Sequence, residues 1–165
     1  MTQMAHSPTG EPGGGLSFMK EYIESNVKYE RAAENGAFKT VTERYIVDAL
    51  NFTEAERRLM EEVGPFASGD FQVRDMKRVQ YMEIFETEDD SADKFFKVRI
   101  SIINIDEESG KERRTTASIL VQGSDIPNTL ERMREQMKGY MLDFDIIGVA
   151  DTKIMDVFHY KPAEK

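Results

Sequence analysis

Ile23, Ser25, Val27 and Tyr29 alternate with polar neighbours, the period of a half-buried β-strand. Asn35-Gly36 follows and predicts a hairpin, because both central positions of a type I′ turn need positive φ. Val41 to Leu50 returns as a second strand. Asn51-Phe52-Thr53-Glu54 reads as a capping box, with Asn51 as N-cap and Glu54 reaching back. Phe52, Ala55, Leu59, Met60 and Val63 then form one apolar helical face. Gly64-Pro65 stops the helix, since proline cannot continue the backbone ladder. Phe71 to Phe85 predicts a third, long strand.

The same order then recurs. Phe96, Val98, Ile100 and Ile102 match the first strand at an offset of 73, and Ser109-Gly110 matches Asn35-Gly36 at 74. Asp125 takes the N-cap position of Asn51. Ile126, Leu130, Met133 and Met137 make the helical stripe, and Gly139 is the expected C-terminal cap. Ile146 to Phe158 is the expected last strand. Tyr81-Met82-Glu83-Ile84-Phe85 and Ile154-Met155-Asp156-Val157-Phe158 stand 73 positions apart, and Tyr45-Ile46-Val47 and Ile119-Leu120-Val121 stand 74 apart. Each half is therefore β-β-α-β, the mark of a duplicated unit. The expected fold class is α+β: duplicated β-β-α-β units forming a mainly antiparallel six-stranded sheet, or two half-sheets, with two helices on one face. The repeats are expected at about 22–86 and 95–159, inside one domain spanning 18–159. An acidic loop from Glu86 to Asp93 joins them.

Composition narrows the class. The chain has 165 residues, 39% hydrophobic and 32% charged, with a formal net charge of −9. That suits a globular core and disfavours a general polyanion binder. Cysteine is absent, so thiolate chemistry and disulfides are excluded for this sequence. No apolar run reaches the roughly 18 to 20 residues that span a bilayer. Residues 1–17, with Pro8, Pro12 and Gly13-Gly14-Gly15, read as a disordered leader without the basic and apolar regions of a secretory signal. Residues 160–165 read as a tail. A cytoplasmic protein without membrane contact is the expectation.

Chemistry-bearing motifs are few. His6 lies in the leader and His159 ends the last strand; a lone strand-end histidine is more often a surface residue than a base or ligand. No P-loop, H-E-x-x-H or G-x-S-x-G pattern occurs, and no motif implies a cofactor. Glu83 and Asp156 occupy equivalent repeat positions, so a pseudo-twofold axis could pair them as a metal or acid–base site. Their plainer role is to solvate an outer strand face. Arg74, Lys77, Arg78 and Tyr81 combine cations with an aromatic ring on one strand, the recipe for single-stranded nucleic acid, with Phe85 as a second ring. Lys111, Arg113 and Arg114 could extend that patch. The intervening Asp75, Glu83 and Glu88-Asp89-Asp90 favour an ordinary mixed-charge strand. Lys138 and Gly139 have sufficient reasons as helix-end residues.

Tyr45 to Leu50 with Phe52 to Glu56, Leu120-Val121-Gln122, Met137-Lys138-Gly139 and Lys153 to Phe158 together resemble an uncharacterised family. It is a domain of unknown function of similar length, met mainly in Bacteroidetes, their mobile elements and their phages. The resemblance spans about Tyr22 to Phe158 and implies no activity or catalytic residue. It implies an accessory binding role. The leading expectation is a non-enzymatic binding or interaction module whose partner is a protein or a second copy. The alternatives are a single-stranded nucleic-acid-binding protein and a metal-dependent enzyme using a paired carboxylate site.

Overall fold

Residues 19–162 are described by a computed structural model. The leader 1–17, with His6 and the glycine run, and the last three residues of the expected tail lie outside them. Eight strands and two α-helices follow in the order β1 (Lys20–Ala32), β2 (Phe38–Val47), α1 (Phe52–Glu62), β3 (Phe71–Tyr81), β4 (Glu83–Phe85), β5 (Lys94–Ile105), β6 (Glu112–Gly123), α2 (Ile126–Met137), β7 (Asp143–Asp151) and β8 (Ile154–Phe158). The mixed α+β class matches the expectation, while each half runs β-β-α-β-β rather than β-β-α-β. The six-stranded sheet does not: the strands form two four-stranded sheets, ordered β3-β1-β2-β8 and β4-β6-β5-β7.

The extra strands arise where each expected long strand breaks. Phe71 to Phe85 bends at Met82, and Met82 N donates to Ser118 O at 2.7 Å. Ile146 to Phe158 breaks at Thr152-Lys153, where Lys153 adopts φ 63°. Thr152 N and Oγ1 both donate to Phe95 O there, at 3.1 and 2.7 Å. The segments beyond the breaks leave their own repeat's sheet. β4 pairs in parallel with β6 of the second repeat, and β8 pairs in parallel with β2 of the first. The two repeats have therefore exchanged their last strands. Two compact units result: the first holds residues 21–79 with the segment after Thr152, the second residues 80–152 with the start of β1.

In the first unit, β1 and β2 pair antiparallel with Val27 opposite Glu43 and Ser25 opposite Tyr45. Ile23, Val27, Tyr29, Tyr45 and Val47 pack beneath Ala55, Leu59 and Val63 of α1. In the second, Ile100 faces Ala117 and Val98 faces Ile119, the same pairs moved by 73 and 74 positions. Val98, Ile100, Ile102, Ile119 and Val121 pack with Met133 and Met137 of α2. Burial of such residues stabilises each core by about 1.5–3 kcal/mol per large side chain. Phe52, Met60 and Ile126, expected on the buried stripes, are exposed. Ile46 and Leu120 are fully buried on the opposite strand face, so the centres of β2 and β6 are apolar on both sides.

The caps form as expected. Asn51 Oδ1 accepts from Glu54 N at 2.8 Å while Glu54 Oε1 accepts from Leu50 N at 2.7 Å. Asp125 and Asn128 repeat that exchange with Asn128 N and Ser124 N. Two details differ. The first hairpin closes through Ala33 to Ala37, with only Gly36 at positive φ, so it is a five-residue loop rather than a type I′ turn. A 3₁₀ turn over Lys138–Tyr140 extends α2, and Met141, not Gly139, takes the left-handed capping conformation at φ 53°.

Candidate functional site

The cationic strand is tied to acids. Lys77 Nζ lies 3.6 Å from Glu24 Oε2, and Arg78 Nη1 lies 3.1 Å from Glu21 Oε1. Arg78 also rests over the Phe52 ring, 5.3 Å from its centroid. Arg74 is exposed, and its carbonyl accepts from the buried Ser25 hydroxyl at 3.0 Å. Tyr81 is only 3% exposed, so its ring offers no surface for base stacking. Further along, Arg114 is held between Glu112 and Asp145, and Arg113 faces Asp106.

Glu83 and Asp156 stand at equivalent places in different sheets, opposite Ile119 and Tyr45 respectively. Glu83 is engaged: Tyr140 Oη donates to its Oε2 at 2.5 Å and Lys20 Nζ lies 3.4 Å from Oε1. Burial first, then the Glu83 carboxylate, pushes the Tyr140 phenol up. Asp156 Oδ1 accepts from Val157 N at 2.8 Å. Among the described residues no group of three or more His, Asp or Glu side chains is arranged to hold a metal ion. His159 lends its carbonyl, not its ring, to the most informative contact of the first unit.

That contact is made by Arg58. Its side chain is 5% exposed, Nη1 donates to His159 O at 2.8 Å, and Nη2 donates to Glu62 Oε2 at 3.0 Å. Nε makes no hydrogen bond and lies 4.0 Å from Glu61 Oε1. The guanidinium thus fills the angle between α1 and the end of the exchanged strand β8. The repeat offset carries Arg58 to Arg132, Glu62 to Gln136 and His159 to Glu86. Gln136 has no charge to hold an arginine inward. Arg132 instead donates from Nη2 to Asp89 Oδ2 at 2.7 Å and from Nε to Asn128 Oδ1 at 3.1 Å, and is 27% exposed. The Ser91 hydroxyl and amide, with Arg132 adding to them, hold the Asp89 carboxyl below the usual carboxylate range.

The second unit has an open groove of about 820 Å³ between α2 and the segment after β4, and Arg132 is among the residues that line it. Phe85, Glu86 and Thr87 line one side, Val121 and Gln122 the floor, and Glu131, Gln136 and Lys138 the helix side. Gln122 fixes the rim: its Oε1 accepts from Thr87 N at 3.0 Å and its Nε2 donates to Ala92 O at 2.9 Å. Phe85 is steadied edge-on by Tyr140, with centroids 6.4 Å apart.

The first unit has its own polar feature. Tyr29 and Tyr45 hydroxyls both donate to Glu43 Oε1, at 2.7 and 2.9 Å, and Arg31 Nη1 lies 3.4 Å from Oε2. Burial, then Glu43, pushes both phenols up. Tyr45 stacks on Phe158 of β8, centroids 5.1 Å apart. The repeat offset replaces this trio by Ile102, Ala117 and Ile119, all buried. Every Glu43 oxygen is occupied, so the cluster is a buried internal brace rather than a place for a ligand.

Sequence reasoning missed the groove, although one signal pointed to it: Arg58 and Arg132 align, while Glu62 and Gln136 differ. A mixed α+β chain with exchanged terminal strands, its described residues forming two four-stranded sheets and two α-helices, defines the scaffold class. The chain belongs to the family described as Domain of unknown function (DUF4494), which it matches over residues 21–160, enclosing both repeats. No curated protein and no solved structure matches it.

Proposed function

We propose that the protein is a non-enzymatic binding module whose ligand surface is the groove between α2 and the segment after β4. The observation carrying this reading is the asymmetry of the duplication. Arg58 is buried against the His159 carbonyl and Glu62 in the first unit, whereas its counterpart Arg132 lines a groove in the second and pairs with Asp89 instead. The groove's polar walls suit recognition of a polar segment of another protein. The mobile-element and phage setting of the family it resembles supports an accessory role, acting in the cytoplasm. Nucleic acid ranks lower, because Lys77 and Arg78 are paired with Glu24 and Glu21 and Tyr81 is buried.

The test is a variant that closes the groove from within. Gln136→Glu combined with Asp89→Asn gives Arg132 the inward acid that Arg58 has and removes the outer one. Parent and variant are each used to capture proteins from extracts of the native host. A specific partner retained by the parent and lost by the variant is the expected result. Identical retention by both would remove the groove from the binding surface.

A further inference from the structure

We infer that the groove takes a guanidinium group: an arginine side chain presented by an extended segment of a partner protein. This rests on the groove being the binding surface and names the chemistry of its ligand.

The protein itself supplies the precedent. In the first unit a guanidinium occupies the matching place, donating to the main-chain carbonyl of His159 and to the Glu62 carboxylate. The residues equivalent to those two acceptors, Glu86 and Gln136, both line the groove. Gln136 retains an amide oxygen where Glu62 has a carboxylate oxygen. It can accept a hydrogen bond without holding the chain's own Arg132 in place. Phe85 adds an aromatic ring to the wall, against which a planar guanidinium packs better than an ammonium.

Charge favours the same ligand. The chain carries −9, and five of the eight residues from Glu86 to Asp93 are acids. Arg132 and Lys138 also line the groove, and both are already paired, Arg132 with Asp89 at 2.7 Å and Lys138 with Glu135 at 2.8 Å. Arg134, also in the wall, lies in the last turn of α2, where it offsets the helix dipole and can donate to peptide carbonyls. An arginine within a peptide satisfies both ends of such a wall, whereas a free cation satisfies one. A forked donor is needed because the two acceptors lie on different elements, one after β4 and one on α2.

The experiment uses the full chain labelled with ¹⁵N and blocked pentapeptides Gly-Gly-X-Gly-Gly, where X is arginine, lysine or citrulline. Arginine peptide is expected to shift the amides of Thr87, Gln122 and the Asn128 to Lys138 helix. Citrulline, which keeps the shape and loses the charge, is expected to bind about tenfold more weakly, the loss of roughly one charge-assisted hydrogen bond. The closed variant, its inward arginine verified by loss of the parent's Arg132 Nε–H bond to Asn128 Oδ1, which the inward Arg58 Nε does not make, is expected not to respond. Equal binding of citrulline, shifts confined to other surfaces, or no response to arginine would overturn the inference. If arginine fails while the closed variant still loses its host partner, only the ligand chemistry falls. If the verified closed variant captures that partner as the parent does, the groove reading falls with it.

Discussion

Arg58→Met is the substitution that most directly tests how the exchanged strand is held. Methionine keeps much of the buried stem, so the change isolates the guanidinium. Its bond to His159 O, at 2.8 Å, is a hydrogen bond from a charged donor, worth about 1.5–3 kcal/mol. The Glu62 pair is 35% exposed on the acid side and adds at most about 1 kcal/mol. A total loss of about 1.5–4 kcal/mol is expected, summing those two contributions. The control is Arg132→Met, whose main partner Asp89 is 47% exposed; its cost should stay within about 1 kcal/mol. Urea unfolding measures both. Hydrogen exchange locates the effect, because Asp48 N bonds Phe158 O at 2.8 Å and reports directly on β8. Faster exchange at Asp48 and along β8 in Arg58→Met, with the α2 amides unchanged, is the expected pattern. Equal midpoints for Arg58→Met and Arg132→Met, or unchanged exchange at β8, would refute the assignment of Arg58 as the lock.

Three further outcomes follow from the same contacts. Gly123→Ala places a Cβ against Thr129 Oγ1 and 3.1 Å from Thr129 Cα. It should cost about 1–3 kcal/mol by overpacking; Thr129→Ala on the same chain should recover most of that, since the equivalent first-repeat pair is Ala49 and Ala55, and strict additivity in chemical denaturation would contradict the compensation. Thr129→Val, which removes a buried hydroxyl lacking a hydrogen-bond partner, should raise stability by about 1 kcal/mol, measured by the same assay. Tyr29, Tyr45 and Tyr140 all have phenols raised above their ordinary value of 10.0: below that value their contribution to stability is fully present, and it is lost as pH rises because the unfolded chain ionises first. Absorbance at 295 nm should therefore show these three tyrosines ionising together with loss of circular dichroism, whereas smooth ionisation in a still-folded chain would disprove the burial account.

The local rules were legible in the chain because their causes are local. Alternation at Ile23 to Tyr29 and at Phe96 to Ile102, the Asn51 and Asp125 caps, and the Gly64-Pro65 stop each depend on a few adjacent side chains. Strand exchange depends on none of them. Tyr81 to Phe85 reads as the end of one continuous strand, since nothing in a period-two pattern distinguishes a strand that continues from one that bends and joins another sheet. The bend at Thr152-Lys153 is likewise invisible, because a lysine at φ 63° is held by its surroundings rather than by its own preference. Burial of Ile46 and Leu120 on the second strand face escapes for the same reason. A run such as Tyr45-Ile46-Val47 fits equally a one-faced or a two-faced strand.

The repeat also hid the candidate site by directing attention to what both halves share. Glu83 and Asp156 were conspicuous because they match, yet matching positions carry the common fold: each sits beside the central strand of its sheet, engaged by a nearby donor. On the binding reading proposed above, the informative places are matched positions with changed partners. Arg58 and Arg132 are the same residue at the same place with different partners, the His159 carbonyl and Glu62 for one, Asp89 and Asn128 for the other. Glu62 holds Arg58 beside the end of β8; Asp89, its carboxyl held low by Ser91 and Arg132, holds Arg132 beside the segment after β4. If an inward acid is sufficient, Gln136→Glu and Asp89→Asn together should turn the second unit into a copy of the first at this point, and whatever the groove holds should be displaced by the protein's own arginine.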